Sequence, residues 1–533
     1  MNIKRAKQEI KDSIRAYLMK DDYGDYVMPA IRQRPILLIG PPGVGKTQIM
    51  EQISQECQIG LVAYTITHHT RQSAIGLPLI EQKMFGGREY SATEYTMSEI
   101  VASVYDKISK TGLSEGILFI DEINCVSETL APTMLQFLQG KSFGSHRIPE
   151  GWIIVAAGNP PEYNKSVREF DIVTLDRIRR IDVEPDFEVW KEYALQAGVH
   201  PAICSYLSVR QQNFCRIETT VDGKLFATPR GWEDLSQLIE VYGQLGLAAD
   251  REIVSEYIQF PKIARDFASY LELYRKYQED YQVEGILNGQ IRPGVYEKLE
   301  RAAFDERVSV IGLLFSGLNE QFRRICQAEE RLELQRKKLR ELQSQGAFES
   351  EGGLEPKRPG EEPKDQVIGA FSGMTEDFRR EWEQRQENGL LSRRELSVCR
   401  EATEALERKL QTLKNEDFLC AEAMWKRLQE LFGKESDDYE AMFAEAGQKL
   451  EHAFDFMEAA FARGQEMVLF VTELNTGFYS IRFLQEYECE RYYRYNRELL
   501  FSQEEREIQR QLEKSGSTEG TVNASVCNPE GTS

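Results

Sequence analysis

The sequence is short of histidine and has no paired cysteines. Its five histidines include one adjacent pair, His68-His69. Adjacent residues share a metal poorly, so the pair is given no role. The nine cysteines, Cys57, Cys125, Cys204, Cys215, Cys326, Cys399, Cys420, Cys489 and Cys527, are scattered, odd in number and form no C-x-x-C pair. That argues against a disulfide framework and against a zinc site, and most read as small buried hydrophobes. No apolar run reaches the length of a membrane span. The opening Met1-Asn2-Ile3-Lys4-Arg5 alternates charged and apolar residues and lacks the apolar core of a signal peptide. The expectation is a cytoplasmic protein with no membrane insertion. Basic charge is also scarce: 66 Lys and Arg stand against 87 Asp and Glu, a formal net charge of −21. A domain that grips duplex phosphates carries a basic surface, so this balance argues against a nucleic-acid partner.

What is present begins with Gly40-Pro41-Pro42-Gly43-Val44-Gly45-Lys46-Thr47. An apolar run, Ile36–Ile39, precedes it, and helical periodicity at Ile49, Met50, Ile53 and Cys57 follows. Strand, glycine-rich turn and helix are the context that G-x-x-x-x-G-K-[ST] requires. Gly43 and Gly45 let the backbone curl around an anion, and the helix offers its N-terminus to the same phosphates. Lys46 would reach the β- and γ-phosphates, and the Thr47 hydroxyl would bind Mg²⁺.

A second apolar run, Ile117–Ile120, reads as a buried central strand and ends in Asp121-Glu122. An acidic pair there sits where α/β sheets place ligands. Asp121 would hold Mg²⁺ through water, and Glu122 would orient and polarise an attacking water. A third run, Trp152–Ala157, ends at Gly158-Asn159-Pro160-Pro161; the Asn159 amide could position water or read the γ-phosphate. Between these runs the pattern predicts helices over 3–20, 98–109 and 127–139, and a strand over 61–67. It also predicts a hairpin over 79–96 turning at Gly86-Gly87, and a polar turn region over 140–151.

Together, Gly40–Thr47, Asp121-Glu122-Ile123-Asn124 and Gly158-Asn159-Pro160 resemble AAA+ ATPases, most of all the MoxR branch grouped with dynein-related AAA domains. Leu175-Asp176-Arg177 is similar to the family's arginine-finger motif, and Ala227-Thr228-Pro229-Arg230 to its sensor 2 motif. The resemblance covers about residues 1–300. It implies an α/β P-loop core with a five-stranded parallel sheet in order 5-1-4-3-2, a helical lid, and a ring, usually a hexamer. By it Asn159 is sensor 1, Arg177 a finger acting on the neighbouring subunit, and Arg230 sensor 2. Ile178-Arg179-Arg180 departs from the family's Phe after the finger, which leaves Arg179 and Arg180 as alternatives. The insertions near 79–96 and 140–151 match places where this branch carries extra hairpins, and one of them is expected to face the pore or a partner.

The expected organisation is a nucleotide-binding domain over 1–225 and a lid over 226–301. A helical arm over 302–343, a flexible linker over 344–366, an all-α bundle over 367–513 and a disordered tail over 514–533 follow. In the arm, Leu318, Phe322, Ile325, Glu329, Leu332, Arg336 and Leu339 follow a coiled-coil step, with Leu342 one residue early. The linker is rich in glycine, proline and charge. Helices are predicted over 375–388, 393–415, 418–432, 437–463 and 466–513, folded back on one another.

The functional expectation is Mg²⁺-dependent ATP hydrolysis driving chaperone-like remodelling of protein complexes. The family implies a protein client, often handled beside a partner with a von Willebrand factor A domain. A nucleotide-controlled switch with slow turnover and the arm as output is the alternative, and a nucleic-acid motor is disfavoured by the charge balance.

Overall fold

The structure is a computed structural model. It describes residues 1–500 except 68–73, 75, 164–166, 168–169, 222, 345–362, 419 and 463. His68-His69, Cys527, most of the expected linker and the expected tail therefore lie outside the described residues. The chain forms two compact units, and neither is continuous in sequence. The first comprises Met1–Ala194, Arg210–Ser269 and Gln327–Asp437, and the second comprises Leu195–Val209, Tyr270–Cys326 and the chain from Asp438 onward.

In chain order the strands are β1 (Ile36–Ile39), β2 (Gly60–Thr65), β3 (Pro78–Phe85), β4 (Arg88–Tyr95), β5 (Gly116–Asp121), β6 (Ser142–Phe143), β7 (His146–Arg147), β8 (Trp152–Gly158), β9 (Arg179–Asp182), β10 (Arg216–Thr220) and β11 (Gly223–Ala227). Five of them make one sheet in the order β2-β5-β8-β1-β9, with every neighbouring pair parallel. Numbered among themselves and read from the other edge, they run 5-1-4-3-2. The near-continuous apolar runs are explained by burial on both faces. Ile36, Leu38, Ile117, Phe119, Ile153 and Val155 pack on the side of the helices Ile3–Tyr17 and Lys46–Cys57. Leu37, Leu118, Ile120, Ile154 and Ala156 pack on the other side, against Glu99–Thr111 and Ala131–Gly140.

The β3–β4 hairpin turns through Gly86 and Gly87, with φ of 57° and 79°. Two left-handed residues in a two-residue loop make the turn whose twist suits a hairpin. One local bound changes, one expected hairpin forms and one hairpin is new. The helix expected over 127–139 starts at Ala131, with Pro132 in its first turn. The 140–151 region holds the β6–β7 ladder. The β10–β11 hairpin was not foreseen, although Asp222-Gly223 is a hairpin turn pair in the sequence.

The chain over 327–344 joins the helices Pro363–Glu387 and Arg393–Asn415 and the start of Ala421–Phe461 around one apolar core. Leu342, Phe371, Trp382, Leu406, Leu410 and Leu428 belong to it. The buried stripe at 328, 332, 335, 339 and 342 corrects the expected seam: Gln335 is buried where Arg336 was expected, and Leu342 falls in step. Arg336 instead lies over the Phe432 ring. Helix resumes at Pro363, so 363–366 are not linker; proline suits a helix's first turn, where its missing N–H has no partner to lose. The stretches expected as 418–432 and 437–463 form one helix running through Gly433.

In the second unit, the stretch expected as one helix over 466–513 breaks at Gly477 and again before 490. The described chain is helical from 490 to 500. There Arg491 and Arg494 pair with Asp455 and Glu458, and Tyr492 and Tyr495 are buried, which is a packed helix face. No described helix is long and apolar enough to cross a membrane. Of the eight described cysteines four are buried and Cys420 is exposed.

Candidate functional site

The site forms at the carboxyl ends of β1, β5 and β8, where β1 lies between β8 and β9. An open α/β sheet leaves its ligand crevice at such ends. Here a cavity of about 570 Å³ opens beside Gly40 and Pro41 and is lined in part by Asn124, Asn159, Arg180 and Asp182. The loop after β1 turns through Gly43 and Gly45, with φ of 79° and 90°. Side-chain residues rarely adopt either value. A Cβ on Gly40 would lie 2.7 Å from the Val183 carbonyl oxygen, so this position has no room for a side chain.

Lys46 begins the following helix and is only 8% exposed. Its Nζ donates to the Gly40 and Pro41 carbonyls, both at 2.8 Å, and to Asn159 Oδ1 at 3.0 Å. These three acceptors match the ammonium's three protons. Burial lowers its pKa to about 8; Asp121 pulls it back up, Arg230 pushes it further down, and Glu122 raises it. A buried cation with a raised cost of charging favours an incoming anion.

Both oxygens of the Asp121 carboxylate are fixed. Oδ2 accepts from Thr47 Oγ1 at 2.9 Å, and Oδ1 accepts from the Glu122 backbone N–H at 2.9 Å. Glu122 itself takes a left-handed backbone, φ 57°, which ends the strand. Such a conformation in a non-glycine residue needs support from its surroundings. A hydroxyl beside one carboxylate is the hard-oxygen donor set that Mg²⁺ takes together with phosphate oxygens and water. No cluster of three or more potential metal-ligating side chains occurs among the described residues, so a site completed by the nucleotide fits better than an all-protein cage.

The sequence reading gave no role to Asn124 or Gly158. Asn124 Nδ2 donates to the Asn159 carbonyl at 2.7 Å, and its buried Oδ1 has no partner among the described residues. A Cβ on Gly158 would lie 2.4 Å from that Oδ1. Glycine before Asn159 thus lets the turn after the acidic pair support the loop that carries Asn159. The letters Asp-Glu-Ile-Asn and Gly-Asn-Pro were visible, but their contact crosses from β5 to β8.

The three candidate finger arginines differ in setting. Arg179 and Arg180 belong to β9, in register with Ile36 and Leu37 of β1. The Arg179 guanidinium is tied to Glu9 and Ser13 of the first helix. Arg180 pairs with Asp182 at 2.8 Å. Arg177 is exposed before the strand begins and donates to Gln139 Oε1 at 2.5 Å. Ile178, where the family has Phe, is buried in the core. On the lid side, Thr228 caps the helix Pro229–Leu245 by accepting from Gly231 N–H. Arg230 follows; it is exposed and makes no ion pair among the described residues. A Cβ on Gly43 would meet Arg230 Cβ at 3.2 Å and Thr228 Cβ at 3.3 Å, so the phosphate loop and the lid touch.

Residues 35–178 match the family described as AAA domain, dynein-related subfamily. No curated protein matches the chain. Among solved structures, a protein from Cytophaga hutchinsonii described as a candidate ATPase is 15% identical over 34% of this chain, with a TM-score of 0.20. The chain spans about half of that structure's length (51%), an overlap too slight to carry an argument. The matched segment carries β1, β2, β5 and β8 of the five-stranded parallel sheet.

Proposed function

We propose, from an AAA domain of the dynein-related subfamily at residues 35–178, that this chain hydrolyses ATP within a ring to remodel protein complexes. The observation that carries the reading is that two adjacent residues after β1 reach the ends of two other strands, Lys46 donating to Asn159 and Thr47 to Asp121. Lys46 exchanges its carbonyl acceptors for β- and γ-phosphate oxygens. Thr47 and, through water, Asp121 would hold Mg²⁺, which would supply charge neutralisation at the phosphates. Glu122 orients a water and takes its proton as the water oxygen bonds to the γ-phosphorus and the bond to ADP breaks. Asn159 positions the γ-phosphate, Arg230 reads the phosphates from the lid, and Arg177 of a neighbour offsets the developing charge.

The MoxR resemblance supports the finer parts: a hexamer, cytoplasmic work, and a protein client handled beside a von Willebrand factor A domain protein. We assign client contact to the β3–β4 hairpin, which exposes Ile80, Met84 and Phe85. Glu122→Gln tests the chemistry. The variant should bind ATP as the wild type does and hydrolyse it at least about a hundredfold more slowly. Unchanged turnover would remove Glu122 from the mechanism.

One observation favours the slow-switch reading. The turn at 388–391 between two bundle helices sits on the far end of the P-loop helix: Gln55 and Gln58 donate to the Leu391 and Leu390 carbonyls. The bundle held there shares its core with Leu339 and Leu342 of the arm, which gives the arm a route to the P-loop helix. Steady-state ATP turnover with and without candidate protein partners separates a motor from a switch.

A further inference from the structure

Three elements of the first unit meet at one phenol. Gln48, directly after Thr47, lies on the P-loop helix Lys46–Cys57. Tyr193 lies on the helix Phe187–Ala197. Glu233 lies on the lid helix Pro229–Leu245, three residues past Arg230 and so on the same side of it. Gln48 Nε2 donates to the Tyr193 oxygen at 2.5 Å, and the Tyr193 hydroxyl donates to Glu233 Oε1 at 2.7 Å. A phenol has one proton to give and lone pairs to accept with, so this chain uses it fully. Burial, and after it the Glu233 carboxylate, pushes the Tyr193 pKa well above its ordinary value, so the donor proton stays in place. All three side chains are half-buried.

The lid helix already touches the phosphate loop at its first turn, through Thr228 and Arg230 against Gly43. Further along, the buried Trp232 donates to the Asn213 and Phe214 carbonyls, which holds the helix to the chain before β10 but not to the P-loop helix. The Glu233 carboxylate adds a second point about 4.5 Å further along the axis. With Trp232 it sets the helix's tilt relative to the P-loop helix, and so the placement of Arg230 beside Gly43.

We propose that Tyr193 is a positioning residue whose hydroxyl latches the lid helix to the P-loop helix and so slows nucleotide release. This rests on the nucleotide-binding reading above. None of the sequence motifs includes Gln48, Tyr193 or Glu233. Only the fold brings the three together, across 145 and 40 residues of chain.

The test uses the full chain with Tyr193→Phe, Glu233→Met and the double variant. Phe keeps the ring and removes only the hydroxyl. Each single variant should release mant-ADP about tenfold faster than wild type, the weight of one hydrogen bond to a charged group. The double variant should be no faster than either single one, because both break the same latch. Without nucleotide, amide exchange over 229–236 should also quicken in Tyr193→Phe. Wild-type mant-ADP release and wild-type lid exchange in that variant overturn the latch, as do effects that multiply in the double variant. If Tyr193→Phe fails to fold, Glu233→Met gives the same two readouts. Wild-type protein that does not bind mant-ADP overturns the nucleotide reading instead, and lid exchange still decides the latch.

Discussion

Lys141 shows what one side chain can store. It ends the helix Ala131–Gly140 with a left-handed backbone, φ 50°, and is 8% exposed. Its Nζ donates to Gln33 Oε1 at 2.8 Å and to the Trp152 carbonyl at 3.4 Å, both neutral. Burial lowers its pKa to about 8. The unfolded chain would hold that proton up to the ordinary lysine range of about 10.4. The native state therefore bears the charging cost in full below about pH 8 and sheds it as pH rises toward the unfolded value. Between about pH 7.5 and 9.5 the wild type should gain roughly 2 kcal/mol relative to Lys141→Met. Urea melts of both proteins at the two pH values check this; a constant difference would mean that Lys141 does not titrate there. At this scale the candidate site was largely legible, because Gly40–Thr47 and Asp121-Glu122 are contiguous runs of required residue types. Asn124 was not, since its bond to Asn159 spans 35 residues and exists only because β8 pairs with β5.

Among the elements, the bundle's turn is the piece whose position matters most to the site. The helix Pro363–Glu387 ends in a turn through Gly389, φ 75°, before Ser392 starts the next helix with a capping box. The turn's carbonyls take donors from the nucleotide-binding core: Gln58 to Leu390 at 3.2 Å, Gln55 to Leu391 at 3.4 Å and Lys107 to Asn388 at 3.0 Å. Leu390 is buried among these contacts. Leu390→Ala should cost about 2–3 kcal/mol in a urea melt and quicken amide exchange over 388–392. Exchange at wild-type rates would show that the polar bonds hold the turn alone. The helices around it were legible from apolar spacing, and Arg393–Asn415 keeps its expected bounds. The misjudged boundaries have local causes. In the lid, Pro261 separates the helices Arg251–Tyr257 and Pro261–Tyr281, because its ring and missing N–H do not fit a helix interior. Gly433 leaves Ala421–Phe461 intact, because packing outweighs a cost of about 1 kcal/mol. The β10–β11 arms leave little signal in the sequence, since only Leu225, Phe226 and Ala227 give an apolar run.

For the whole molecule, the question is whether a site is complete within one chain. Within one subunit the first unit holds Lys46, Thr47, Asp121, Glu122 and Asn159 together. Arg177 is exposed, donates to the neutral Gln139 and feels the Asp171 carboxylate without pairing with it among the described residues. Arg179 already answers the Glu9 carboxylate, and Arg180 answers Asp182. An arginine not committed to an ion pair can be given to a neighbour at the lowest electrostatic cost. A head-to-tail contact that closes into a ring would place each exposed Arg177 against the next subunit's phosphates. Arg177→Ala and Glu122→Gln should then each abolish ATP turnover alone, for different reasons. Mixed and reassembled, they should recover activity, because a Glu122 from one variant meets an Arg177 from the other at about a quarter of randomly formed interfaces. Arg179→Ala mixed with Glu122→Gln is the control, expected to be limited by loss of the Glu9 ion pair and not rescued by mixing. Turnover of the first mixture that stays at the level of its parts would place the finger elsewhere, or each site wholly within one chain.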